Sequence, residues 1–198
     1  MKLTNEEAKR IAKEKIAPIF QKVSREYDFR KYPTSQYHIF RNSFATLNAS
    51  NTDIHNALVW KWGHWGKSNF PQRHKDLIKK IMQLWPHFVQ SEYTKTSKET
   101  FSWWKNKLER GNSARFITIA YITHLVHYME PLPIIDQHNF RAMNELKENQ
   151  NPKKKPSTWD DIFELKNFME LICANLNCNF ESLDRFLMMY GKNHVARN

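Results

Sequence analysis

The sequence predicts an all-α fold, and three observations carry that expectation. Glycine is scarce, with four in 198 residues, at positions 63, 66, 111 and 191. No stretch alternates apolar and polar residues long enough for a convincing sheet. Helix-start signals, in contrast, recur along the whole chain. With 40% hydrophobic and 14% aromatic residues there is ample material for a packed interior, either one core or two small helical lobes sharing one.

Thr4 and Glu7 have capping-box spacing and open a helix expected to run to about Tyr27, kinked at Pro18. Residues 35–47 and 53–62 read as two shorter helices. Pro71 falls in a first helical turn, ahead of Leu77, Ile78, Ile81, Met82 and Trp85 at helical spacing. Residues 97–110 form the next helix, stopped by Gly111 as a left-handed cap. Residues 113–128 are apolar on nearly every side. Their β-branched members would suit a buried strand, but the length favours an enclosed helix. Pro131 and Pro133 force an extended link, after which Asp136 caps a helix with Phe140, Met143 and Leu146 on one face. Residues 149–156, with Lys153, Lys154 and Lys155, read as an exposed linker. Ser157 with Asp160 opens a helix to about Asn175, and a last helix over 179–190 is closed by Gly191. The chain, 1–198, is expected to form a single compact helical unit, with its C-terminal helices over 157–191.

No run of about twenty apolar residues occurs, so no membrane partner is expected. The polar start of the chain differs from a signal peptide, and two cysteines, Cys173 and Cys178, form neither a disulfide framework nor a zinc pair. These features point to a cytoplasmic protein. Thirty-one Lys and Arg against 20 Asp and Glu make a net charge of +11, which concentrates polyanions at the surface and points to nucleic acid.

Residues 97–149 carry the functional signal. They read as helix, glycine-containing turn, buried helix and proline-bounded link, followed by Ile135-Asp136-Gln137-His138-Asn139-Phe140-Arg141-Ala142. This segment resembles the helix-hairpin-helix DNA glycosylase superfamily, which contains endonuclease III. Asp136, His138 and Arg141 match in register a family block whose aspartate is catalytic. The resemblance implies a two-lobed multi-helix bundle and a DNA-binding protein that hydrolyses the N-glycosidic bond of a damaged base. In that role Asp136 would stabilise the cationic sugar of the transition state or orient the attacking water. Arg141 would neutralise a phosphate, and His138 would fix the link beside the base pocket. Asp136 also reads as a plain N-cap, and His138 as a packed core histidine. The alternative function is a non-catalytic nucleic-acid-binding protein on the same scaffold.

The hairpin departs from the family in having the single Gly111. The backbone of Asn112, Ser113 and Ala114, with Arg115, is still expected to hold a DNA phosphate. No lysine stands where strand-cleaving members carry one, so a monofunctional glycosylase is expected. The four-cysteine cluster loop is absent, and no cofactor or metal is expected. His124 and His127 read as packing residues rather than ligands. Trp62 and Trp65 flank Gly63 in a stretch that interleaves aromatics with cations, and they are expected to stack on bases, with Lys67 touching DNA. Trp60 reads as a core contact. Of the adjacent pair Trp103 and Trp104, at most one should be fully buried, and Trp104 is assigned to the base pocket or wedge.

Overall fold

The computed structural model describes residues 3–91, 96–108, 115–150 and 152–196. Among them, ten α-helices and one π-helical turn form, and no β-strand occurs. The chain divides into two units. Unit 1 comprises Met1–Tyr27 with Pro131–Asn198, and unit 2 is Asp28–Glu130.

Helix α1 (Asn5–Arg10) opens on the expected box, in which Thr4 caps Glu7 and the Glu7 carboxylate accepts from the Thr4 N–H at 2.8 Å. A π-helical turn follows over Ile11–Ile16, where the Ala17 N–H reaches back five residues to the Ala12 carbonyl at 2.8 Å. Pro18, which has no N–H to donate, lies in the break before α2 (Phe20–Ser24). The single kinked helix expected to Tyr27 is thus two helices and a wide turn.

Unit 2 holds α3 (Thr34–Ala45), α4 (Asn51–Lys61), α5 (Gln72–Val89), α6 (Ser97–Leu108) and α7 (Phe116–Val126). Helix α4 begins earlier than expected because Ser50 caps it, with Asp53 completing the box. Pro71 precedes the first residue of α5 in the cap position, just outside the first turn. Every residue of α7 except Ile117 is buried, so the ambiguous apolar run is an enclosed helix. Helices α3 and α6 pack against it. The interior is aromatic: Phe44 meets Trp85, Trp85 meets Trp104, and Trp60 lies between Tyr37 and Tyr121.

The chain then completes unit 1 with α8 (Gln137–Leu146), α9 (Trp159–Leu176) and α10 (Phe180–Asn193). α1 packs on α9, while α2 and α8 pack on α10. Phe140, Met143, Leu165, Phe168, Ile172, Leu183, Phe186 and Leu187 fill this core. Two expectations are corrected here. α9 is capped by Thr158 with Asp161, one residue later than the Ser157 and Asp160 pair. Gly191 lies inside α10 and does not close it. A Cβ there would stand 1.9 Å from the His138 carbonyl oxygen, so the glycine permits a backbone crossing with α8.

Candidate nucleic-acid interface

The site is built on the start of α8. Extended backbone at Asp136 lets its carboxylate turn back over the helix mouth, where Oδ1 accepts the N–H of His138 at 2.7 Å and of Asn139 at 3.0 Å. Asn139, fully buried, answers by accepting the Asp136 N–H at 2.8 Å. Its amide donates to the Ile134 carbonyl at 2.8 Å and to Asp184 Oδ1 of α10 at 3.2 Å. Asp136 therefore is a helix cap, held by a buried network.

One turn on, Arg141 ties α8 to α10. Its Nε donates to the Gly191 carbonyl at 3.0 Å, Nη2 donates to the same oxygen, and Nη2 stands 3.2 Å from His138 Nδ1. A guanidinium on a carbonyl in the last turn of α10 also complements the negative end of that helix. His138 and Arg141 are half-buried and form one wall of a cleft of about 780 Å³.

The facing wall comes from residues 152–155, and the end of α10 supplies Lys192. Lys153 is anchored by Asp161 at 2.6 Å, and the same Asp161 oxygen accepts the N–H of Ser157 at 2.6 Å and of Thr158 at 2.8 Å. Burial pushes the Asp161 carboxyl up, but the Lys153 ammonium and these two N–H groups outweigh it and hold the acid below its ordinary value. Asn144 of α8 steadies the same segment, donating to the Lys153 carbonyl at 3.4 Å. Lys154, Lys155 and Lys192 make no ion pair among the described residues. The cleft thus gathers Arg141, Lys153, Lys154, Lys155 and Lys192 against one carboxylate, Glu145. A guanidinium, several ammoniums and an imidazole around one concavity are the chemistry that receives a phosphodiester.

The other candidate residues belong to unit 2. Gly111, Asn112, Ser113 and Ala114, the expected phosphate-binding turn, lie outside the described residues. Arg115, expected beside a phosphate, donates through Nη1 to the Leu108 carbonyl at the end of α6. Trp104 is 0% exposed, enclosed by Trp85, Phe88 and Trp103. So enclosed an indole has no face for a base, which corrects the wedge assignment. Trp103 is buried too, at 8% exposure, because α6 is covered on two sides. Trp62 is half-buried, stacked on His74 with ring centroids 4.1 Å apart, and Trp65 is half-buried near Phe40 at 6.0 Å. Lys67 is exposed.

The remaining polar chemistry of unit 2 is histidine. His64 Nε2 lies 3.1 Å from His74 Nδ1, and burial holds both imidazoles below their ordinary pKa, with Lys67 adding to the effect on His64 and His64 to that on His74. His124 meets the Tyr37 hydroxyl at 2.7 Å, and His127 meets the Thr100 hydroxyl at 2.8 Å. Among the described residues no group of three or more His, Cys, Asp and Glu is placed to hold a metal ion. No described helix is long and apolar enough to cross a membrane.

Nothing in the sequence pattern singles out Lys192, and Lys154 and Lys155 read there as a solvated run, with a secondary contact to phosphate as the other reading. The available signal is faint: a lysine directly after a helical glycine, in a chain with few glycines. Set against known proteins, the chain matches no family model, no curated protein and no solved structure.

Proposed function

We propose that the chain binds duplex DNA through the unit 1 cleft, with its cations on backbone phosphates. The observation that carries this reading is the convergence of Arg141, Lys154, Lys155 and Lys192 on a cleft of about 780 Å³ with Glu145 as the one acid in its lining among the described residues. Such a volume lies within the roughly 300–1,000 Å³ of pockets that take a drug-sized ligand, and so a single nucleotide. The net charge of +11 supports the same reading by steering a polyanion to the surface.

The test is a titration of labelled duplex across a salt series. Binding in the micromolar range or tighter is expected at low salt, falling steeply as salt rises, because condensed counterions are released. Replacing Lys154, Lys155 and Lys192 by Ala should flatten the salt slope by about 0.9 for each phosphate no longer neutralised. An unchanged slope in the triple variant, or tighter binding to single-stranded RNA than to duplex, would overturn the proposal.

A finer reading, base excision by a glycosylase of the helix-hairpin-helix type, is favoured by one observation. Gln137 and His138, which directly follow Asp136, line the same cleft. On this reading Asp136 stabilises the sugar cation as the base departs, and it is needed for base release while leaving binding intact. Asp136→Asn keeps the shape of the cap, so stability should change by about 1 kcal/mol or less. Wild type is incubated with duplexes carrying oxidised, alkylated or deaminated bases, then treated with alkali. Cleavage that requires both the alkali and Asp136 supports excision. No release from the whole panel leaves a non-catalytic DNA-binding protein, and equal release by both chains leaves Asp136 a cap.

A further inference from the structure

Helix α9 ends on Asn177 in the left-handed conformation, with φ 50° and ψ 46°. The N–H groups of Asn177 and Cys178 both donate to the Cys173 carbonyl, the second at 3.3 Å. The six-to-one bond of this Schellman-type turn characteristically brings the side chains at its two ends together, most often as an apolar contact. In this chain both ends are cysteine. Their sulfurs lie 3.7 Å apart and share a hydrogen bond, and both side chains are half-buried, within reach of a small solute.

We propose that Cys173 and Cys178 form a hydroperoxide-reactive dithiol, a site of reversible disulfide formation built into the end of α9. A disulfide bond is about 2.05 Å long, so closure brings the sulfurs together by roughly 1.7 Å. Cys178 Sγ donates in that contact, and the contact together with burial pushes the Cys173 thiol up.

The thiolate of one cysteine attacks one oxygen of the peroxide, the O–O bond breaks, and hydroxide leaves to be protonated to water. The sulfenic acid so formed is then attacked by the sulfur of the other cysteine. An S–S bond forms, the S–O bond breaks, and the second water departs with the second thiol's proton. Two thiols are oxidised by two electrons and one peroxide is reduced to two waters. A dithiol reductant reverses the change by thiol–disulfide exchange.

The test treats the full chain with stoichiometric hydrogen peroxide, then measures free thiols and intact mass. The expected result is loss of both thiols, a monomer lighter by two hydrogens, and full recovery with dithiothreitol. Cys173→Ser and Cys178→Ser should each leave, on the remaining sulfur, a sulfenic acid that dimedone captures and that closes no disulfide within the chain. In denaturant the wild-type closure should slow by about tenfold or more, because the turn no longer holds the sulfurs together. Thiols that stay free, sulfurs that gain oxygen without bonding, disulfide-linked dimers, or equal rates folded and unfolded would each overturn the proposal.

Discussion

Unit 2 and unit 1 divide the chain's basic and aromatic residues unequally. Six of the seven tryptophans lie in residues 28–130, where Trp60, Trp85, Trp103 and Trp104 are buried. That stretch also has fifteen Lys and Arg against seven Asp and Glu, and so most of the net charge. Unit 1 is nearly balanced, with sixteen Lys and Arg against thirteen Asp and Glu, and several of its cations are paired: Lys15 with Glu148, Lys147 with Glu164, Lys153 with Asp161, Lys166 with Glu170 and Arg185 with Glu181. Yet the cationic cleft is in unit 1. Composition totals do not locate a site. What marks this one is position: Lys154, Lys155 and Lys192, none of them in an ion pair among the described residues, gather around one concavity.

The contrast is sharpest at the cores. Trp104→Ala empties an enclosed site and should cost about 3–5 kcal/mol, seen as a lower urea midpoint by tryptophan fluorescence. Next comes Gly191→Ala, which forces α8 and α10 apart by placing a methyl against the His138 carbonyl. Its expected cost is about 3 kcal/mol, with DNA affinity falling alongside, while the near-ultraviolet signal, carried mostly by unit 2 tryptophans, stays as it was. A variant that loses neither stability nor affinity would mean the crossing does not shape the cleft.

Lys154→Ala with Lys155→Ala should reverse that pattern, leaving stability within about 0.5 kcal/mol and weakening DNA binding by roughly tenfold. The same pair of measurements, melting and anisotropy, separates the cases. If Lys61→Ala with Lys67→Ala in unit 2 weakens binding more, the interface belongs to the more basic unit.

The smallest effect is a difference in acid sensitivity. His64 and His74 titrate below their ordinary value of 6.5 in the folded chain, because burial disfavours the imidazolium. The unfolded chain therefore binds more protons, and unit 2 loses stability as pH falls below 6.5 and through the depressed folded values. Asp161 is held below its ordinary 3.8, so its contribution to unit 1 persists above that pH and disappears only as pH falls through the lower folded value. Urea denaturation followed by tryptophan fluorescence at pH 7 and pH 5 should show a lower midpoint at pH 5. No change between them would remove the histidine pair from the account.

The helical class and most helix starts were legible because caps are local chemistry. Thr4 with Glu7 and Asp136 before α8 stand where their spacing puts them. Where two local answers fit equally, spacing could not choose: Ser157 with Asp160 and Thr158 with Asp161 have the same register, and the burial of Asp161, Ile162 and Leu165 selects the second. Gly191 misled for a related reason. Glycine serves both helix ends and close crossings, and only the arrival of α8 decides which. Of the pair Trp103 and Trp104 only Trp104 is fully buried, yet Trp103 is not free either, with 8% exposure, since α6 is enclosed by Phe88 on one side and α7 on another. Of the cleft, His138 and Arg141 could be seen, as the part of the Asp136 block that lines it. Lys192 could not, because its place there depends on α10 folding against residues some fifty positions earlier.

Unit 1 is made from two stretches of chain with all of unit 2 between them. A ribosome releases residues in order, at roughly 5–20 per second. α1 and α2 are therefore synthesised well before α9 and α10, the helices that cover Ala8, Ile11, Ile16 and Val23. During the interval, on the order of ten seconds for the intervening residues, unit 2 can complete its core while that early apolar face still lacks its cover. The capping box at Thr4 can form at once, from neighbours alone. It gives the waiting segment a helix start before the partners that bury it exist, and α8, α9 and α10, made after unit 2, close both the core and the cationic cleft.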